Sequence, residues 1–174
     1  MAIDKDIIKD FVDESKDLIH QLIELLESIE GDFSKVKVLA DYGNRIDRIM
    51  GGAKSLAMMA PPGHPLFLIG DYTALCKAVG YKGSQIKGNR QFYDICVALL
   101  LDATETLDTL MDHIEDSEQD IKKIIPEAFL ERLRWISQQF NENYSESVDV
   151  KKEAAAVADG PMDINELLKK LGLL

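Results

Sequence analysis

The sequence predicts an all-α protein, an antiparallel helical bundle of five helices followed by a short, tethered C-terminal helix. Apolar residues recur at intervals of three and four through most of the chain, and sustained two-residue alternation is scarce. Glycines and prolines stand where the periodic stretches stop. With 174 residues, of which 46% are hydrophobic, the chain is long enough for one domain with a substantial core.

The first two helices are predicted from their caps and breakers. One spans residues 4–29, with Asp4 as N-cap and Gly31 as its stop. The second begins with Ser34 as N-cap and runs to about Ala60, before a proline-rich turn. The methionines of this region are expected to fill the core, namely Met50, Met58 and Met59.

Three further helices complete the predicted bundle. The third spans about 66–80 and ends at Gly80, and the fourth spans about 89–116. Pro126 suits the first turn of the fifth. The two cysteines, Cys76 and Cys96, lie in apolar stripes without CxxC spacing, so we expect buried free thiols.

The chain divides into a bundle, a linker and a terminal helix. The bundle covers residues 1–142, and residues 143–161 are polar, small and acidic, as in a tether. Within 162–174, Asp163 can act as N-cap and Gly172 as the C-terminal glycine. The apolar residues between them follow i, i+3, i+4, i+7 spacing, namely Ile164, Leu167, Leu168 and Leu171. So short a helix is marginal alone, and either another protein or its own bundle can supply the packing surface.

Charge and composition exclude several classes of function. A net charge of −11 argues against nucleic-acid binding, because a phosphate backbone would be repelled. No apolar run approaches the roughly 18 residues of a membrane span, and no signal-peptide pattern opens the chain, so we expect a cytoplasmic protein. Neither the cysteines nor the scattered histidines show metal-ligand spacing, so no metal site is predicted.

Residues 164–173, INELLKKLGL, resemble the C-terminal peptide of the CheZ-type chemotaxis phosphatases. The likeness rests on paired leucines followed by Leu-Gly and an apolar residue. In that family the peptide ends a flexible tether and binds the phosphorylated response regulator CheY. The resemblance implies that a CheY-like receiver is the partner and that five apolar side chains enter it, those of Ile164, Leu167, Leu168, Leu171 and Leu173.

Residues 4–116 resemble the histidine phosphotransfer domain of CheA-like chemotaxis sensor kinases. The opening stretch 8–18, IKDFVDESKDL, is similar to the first helix of that family. The stretch 48–58, RIMGGAKSLAM, lies where the family has Arg-Ala-Ala-His-Thr-Leu-Lys-Gly-Ser-Ala. The phosphorylatable histidine falls on Gly51, while Lys54 keeps the family's lysine and Ser55 follows it. The resemblance implies a bundle that carries no phosphoryl group, since the relay needs an imidazole nucleophile.

Helical geometry places Gly51 on the solvent face of the second helix. It shares that face with Asp47, Arg48, Lys54 and Ser55, opposite the apolar stripe. Two consecutive glycines in a helix cost about 1 kcal/mol each relative to alanine. A flat patch that another protein approaches closely is one explanation, and drift after loss of the histidine is the other. The histidines His20, His64 and His113 are expected at the surface or in a loop and do not replace the missing one.

A receiver phosphatase is the rival interpretation. CheZ-like enzymes use an acidic residue that engages a receiver lysine and a glutamine, one helical turn away, that orients the attacking water. Asp17 with Gln21 has this spacing, as does Glu115 with Gln119 near the predicted end of the fourth helix. The first pair lies in the middle of a helix and is the better candidate of the two, although this spacing is expected by chance on an acidic helix and a solvated acidic face is the simpler explanation. Its only cofactor would be the Mg²⁺ bound by the receiver.

Three hypotheses follow from these patterns. The first is a non-catalytic docking protein of chemotaxis or a related two-component circuit, and the second is the phosphatase. The third is a scaffold or dimerisation bundle whose tail folds back on itself. A chemotaxis kinase and a second copy of the chain are the further candidate partners. No phosphate-binding loop, GxSxG or HExxH motif supports another enzyme class.

Overall fold

A computed structural model describes residues 2–143 and 164–172 of the chain, and over these residues the protein is all-helical without strands. The predicted linker lies outside this part of the chain, apart from Asn143, which ends a helix. The helices are α1 (Lys5–Ile29), α2 (Val38–Ala57), α3 (Pro65–Gly83), α4 (Arg90–Asp112), α5 (Glu118–Lys122), α6 (Glu127–Asn143) and α7 (Ile164–Lys170). None of the described helices is long and apolar enough to cross a membrane.

The first four helices form a closed antiparallel bundle. Each packs against the next in sequence, and α4 packs back against α1. Their apolar stripes meet in one continuous core. The predicted start of α1 is confirmed, because the Asp4 carboxylate accepts a hydrogen bond from the Asp6 backbone N–H at 2.8 Å. Lys16 on α1 forms an ion pair with Asp112 on α4, with 2.5 Å between the lysine Nζ and the aspartate Oδ1.

The start and end of α2 differ from the prediction. Ser34 does not cap it, since both its backbone N–H and its hydroxyl donate to the Asp32 carboxylate, which caps a 3₁₀ turn at Phe33–Lys35. The helix begins at Val38 without a side-chain cap and ends at Ala57. The methionines that follow are not core filler, because the Met58 and Met59 side chains are 88% and 55% exposed.

Helices α2 and α3 approach each other closely because glycines face large side chains across their interface. A Cβ atom on Gly80 would lie 2.9 Å from the ring of Tyr42 and 3.1 Å from the Leu39 carbonyl oxygen. Across the same interface, a Cβ on Gly43 would lie 3.3 Å from the Tyr81 ring. Gly80 is therefore an interior helix residue rather than the predicted stop, and α3 continues to Gly83.

Buried tyrosine hydroxyl groups connect the helices of the bundle. The Tyr42 hydroxyl lies 2.8 Å from the Thr104 hydroxyl, which joins α2 to α4. The Tyr72 hydroxyl donates to the Ala103 carbonyl at 2.7 Å, and the Tyr93 hydroxyl donates to the Ile29 carbonyl at the end of α1 at 2.6 Å. Each buried hydroxyl thereby keeps a hydrogen-bond partner after losing water. Burial raises the pKa of Tyr42 and of Tyr72 well above the ordinary value.

The remaining helices form a second layer on α3 and α4. Helix α4 ends at Asp112, earlier than predicted, and Ser117 then caps the unpredicted helix α5. The predicted fifth helix is α6, which begins directly after Pro126 and packs on α4. The Phe92 and Phe140 rings meet edge-to-face there, with centroids 5.0 Å apart.

Candidate functional site

The C-terminal helix α7 is docked on the bundle between α3 and α6. Its four predicted apolar residues are between 0% and 2% exposed, namely Ile164, Leu167, Leu168 and Leu171. Leu173, the fifth residue expected to enter a receiver, and Asp163, the predicted N-cap, lie outside the described residues. The position of α7 is the one expected by the hypothesis of a self-docked tail, and the whole apolar face is buried against the protein itself.

Charged residues surround the docked helix. Asp71 on α3 is half-buried. The positive charges of Lys170 on α7 and of Lys54 on α2 act on its carboxylate. Burial raises the pKa of Asp71, and the two lysines oppose this rise by favouring the carboxylate. At the end of α7, the Lys122 ammonium lies 3.5 Å from the position that a Cβ on Gly172 would take.

The docked helix depends on its groove for stability. It buries four aliphatic side chains, and each such burial contributes about 1.5–3 kcal/mol. A helix of seven residues is marginal in water without a packing surface. Release of α7 exposes one helix face, whereas unfolding of the bundle exposes the whole core, so we expect release to cost less free energy than unfolding.

The structure places the predicted α2 face at the surface. Arg48, Gly51, Lys54 and Ser55 are exposed, and Asp47 is half-buried. Two of these residues are held by ion pairs to neighbouring helices. Arg48 contacts Glu14 on α1 at 3.0 Å, and Asp47 contacts Lys77 on α3 at 2.7 Å.

The two consecutive glycines of α2 have different surroundings. A Cβ on Gly52 would lie 2.9 Å from the Phe11 ring, so Gly52 allows α1 to approach α2. No heavy atom of the described residues lies within 4 Å of a Cβ built on Gly51. Packing therefore accounts for Gly52 alone, and the hypotheses of a close-approach patch or a lost histidine apply only to Gly51. The contact with Phe11 is what distinguishes the two glycines, and the sequence alone does not show that Phe11 packs against Gly52.

The structure distinguishes the two candidate acid–glutamine pairs. Asp17 and Gln21 are both exposed, one turn apart in the middle of α1, as predicted. Glu115 and Gln119 do not share a helix, because α4 ends at Asp112 and Gln119 belongs to α5. Only the first pair has the rigid spacing that a positioned carboxylate and amide require.

The histidines and cysteines show no reactive arrangement. Nδ1 of His64 accepts a hydrogen bond from the Leu66 backbone N–H at 3.2 Å and caps α3, and burial lowers its pKa. His20 is exposed, and His113 pairs with a neighbouring aspartate at the end of α4. Both cysteines are buried free thiols, as expected, and burial raises the pKa of Cys76 and of Cys96 to about 12.

Metal and small-molecule sites have little support. Residues 2–143 and 164–172 contain no cluster of three or more histidine, cysteine, aspartate or glutamate side chains able to hold a metal ion. An open depression of about 280 Å³ lies between α4 and the start of α6. At its edge Arg132 and Asp102 form an ion pair at 2.6 Å.

Comparison with known proteins gives no match to this chain among family models, curated proteins or solved structures. The resemblances to the phosphotransfer domain and to the CheZ-type peptide therefore remain predictions based on sequence motifs. The all-helical bundle stands independently of them, since it follows from the described helices and their packing.

Proposed function

We propose that this protein is a docking protein of chemotaxis or a related two-component circuit. It binds a CheY-like response regulator through α7, and its bundle carries no phosphoryl group. The observation that carries the proposal is α7 itself, a short helix with one compact apolar face that depends on a groove for its stability. Such a helix can exchange between its own groove and a groove on a partner.

The exposed face of α2 supports a second contact with the receiver. Gly51 leaves an area without a side chain where the resembling domains carry their phosphorylated histidine. Arg48 and Lys54 lie about one turn on either side of it and are exposed. A partner backbone can approach closely there, and the lysine and arginine offer it positive charge.

Tail-dependent binding tests the proposal. The full-length protein is expected to bind an activated CheY-like receiver of the same organism, and a version ending at Asp159 is expected to lose most of that affinity. Titration calorimetry with the receiver activated by beryllofluoride measures both affinities. Equal affinity of the two forms would contradict the proposal. Thermal unfolding followed by circular dichroism is the control, because removing α7 uncovers the surface between α3 and α6.

A receiver phosphatase is the second candidate, and it is favoured by the placement of Asp17 and Gln21. The two side chains project from one exposed face, and α1 is fixed to α4 beside them by Lys16. Hydrolysis by this mechanism needs positioning of water and no nucleophile from this chain. The Mg²⁺ would arrive bound to the receiver.

For this candidate, replacing Gln21 with alanine is expected to reduce accelerated phosphate release about 100-fold while leaving tail-dependent binding unchanged. Phosphate release from the phosphorylated receiver provides the measurement. Gln119→Ala is the matched control, because it removes an exposed glutamine from the pair that does not share a helix. If the full-length protein does not accelerate release at all, the phosphatase candidate is wrong and the docking protein remains.

A further inference from the structure

Helix α7 has a single apolar face, and two different surfaces would bind it: the protein's own α3 and α6, and the receiver of the proposed complex. In the structure the face is buried against α3 and α6. In the proposed complex the same residues, from Ile164 to Leu171, enter the receiver. The rest of the helix is polar, with Glu166 and the two lysines exposed. The two modes of packing therefore exclude each other.

We infer that α7 is an intramolecular latch, for which the α3/α6 groove and the receiver compete, and that Asp71 helps to hold the latch closed. This inference rests on the proposed function, because it requires the receiver to bind α7. The bundle then acts as an inhibitor of its own tail. The receiver has to capture α7 from the small undocked fraction, so its apparent affinity is reduced in proportion to that fraction.

Asp71 is placed to affect docking without taking part in the competing interaction. It lies on α3, and Lys170 of α7 is among the positive charges that act on it. The Asp71 side chain belongs to the groove side and not to the apolar face of α7. Substituting it therefore changes how firmly α7 is held, while every side chain on the apolar face of α7 that would enter the receiver stays intact.

Asp71 also connects the latch to the exposed face of α2. The side chain of Lys54 crosses Gly70, where its Cγ atom lies 3.0 Å from the position of a Cβ. Its positive charge acts on Asp71, as the charge of Lys170 does. Glu118 on α5 is the nearby like charge. A lysine at position 71 would thus meet Lys54 and Lys170 and repel both.

The test is Asp71→Lys in the full-length protein, read by two measurements. Hydrogen exchange of residues 164–171 without receiver is expected to accelerate about five-fold. The attraction between position 71 and Lys170 is replaced by repulsion, and a partly exposed charge pair has an effect of about this size. Receiver affinity is expected to rise by about the same factor, because both quantities scale with the undocked fraction. Asp71→Asn removes the charge without reversing it and should shift both measurements in the same direction by less.

Asp13→Lys is the matched control. It makes the same change of charge at an exposed position on α1 and should alter neither measurement. Thermal unfolding establishes that each variant keeps its bundle.

The possible results separate this inference from the proposed function. Faster exchange of α7 with stronger receiver binding supports the latch. Faster exchange with unchanged binding would overturn the competition while leaving tail-dependent receiver binding in place. Unchanged exchange would overturn the role of Asp71. If a synthetic peptide of residues 162–174 fails to bind the receiver, the proposed function itself is wrong, and the latch has no competing partner.

Discussion

Replacing Gly80 with alanine is expected to lower the free energy of unfolding by about 1–3 kcal/mol, although alanine is the better helix former. The new Cβ would lie 2.9 Å from the Tyr42 ring and 3.1 Å from the Leu39 carbonyl oxygen. Tyr42 cannot move aside freely, because it is fully buried and its hydroxyl is bonded to Thr104. Helices α2 and α3 would have to separate, and denaturant unfolding measures the loss.

Gly51→Ala is the control for this prediction. It makes the same chemical change in the interior of a neighbouring helix, but the added methyl group meets open space. It should therefore raise the free energy of unfolding by about 0.5–1 kcal/mol through helix propensity alone. Equal effects of the two substitutions would contradict the close packing described for α2 and α3.

These two glycines show where sequence patterns are sufficient and where they are not. The apolar period predicts α1, α4 and α6 because each of these helices buries one continuous stripe. Helix α3 is buried on most of its sides, since it packs against α2, α4 and α7, and its high apolar content predicts it instead. A glycine at the end of such a stripe has the same local pattern whether it stops the helix or lets another helix approach. Only the contact with Tyr42 decides for Gly80, and that contact joins residues far apart in the chain.

The ends of the helices and the short helix α5 were the features that the sequence predicted least well. Ser34 and Asp32 can both cap a helix, and the choice between them depends on where the chain must turn to enter α2. Helix α5 is too short to produce a periodic pattern. The end of α4 at Asp112 also moved Glu115 out of its predicted helix, so one candidate catalytic pair lost its geometry.

The sequence predicts which residues form the apolar face of α7, but it does not predict which surface that face packs against. The spacing of the apolar residues identifies the buried face of α7, and the structure confirms that face. The same face suits a foreign groove and the protein's own groove, since both are apolar and neither is encoded within residues 164–171. Docking depends on the surface that α3 and α6 create together, which no local pattern contains.

Replacing Leu168 with alanine is expected to release α7 from the bundle and to abolish tail-dependent receiver binding. The Leu168 side chain is fully buried, and such a truncation costs about 2–5 kcal/mol. Docking of α7 is weakened by about that amount, so hydrogen exchange of residues 164–171 should accelerate about 30-fold or more. Receiver affinity should fall as well, because Leu168 belongs to the face that would enter the receiver.

The combination of results separates a latch from a permanent part of the core. If α7 opens locally, Leu168→Ala should leave the cooperative unfolding of α1–α4 nearly unchanged, and amides of α7 should exchange faster than those of α3 even in the unmodified protein. Glu166→Ala removes an exposed side chain from the same helix and should preserve both docking and binding. Equal protection of α7 and α3 would contradict release, because a helix that opens only with the whole bundle cannot be captured by a receiver.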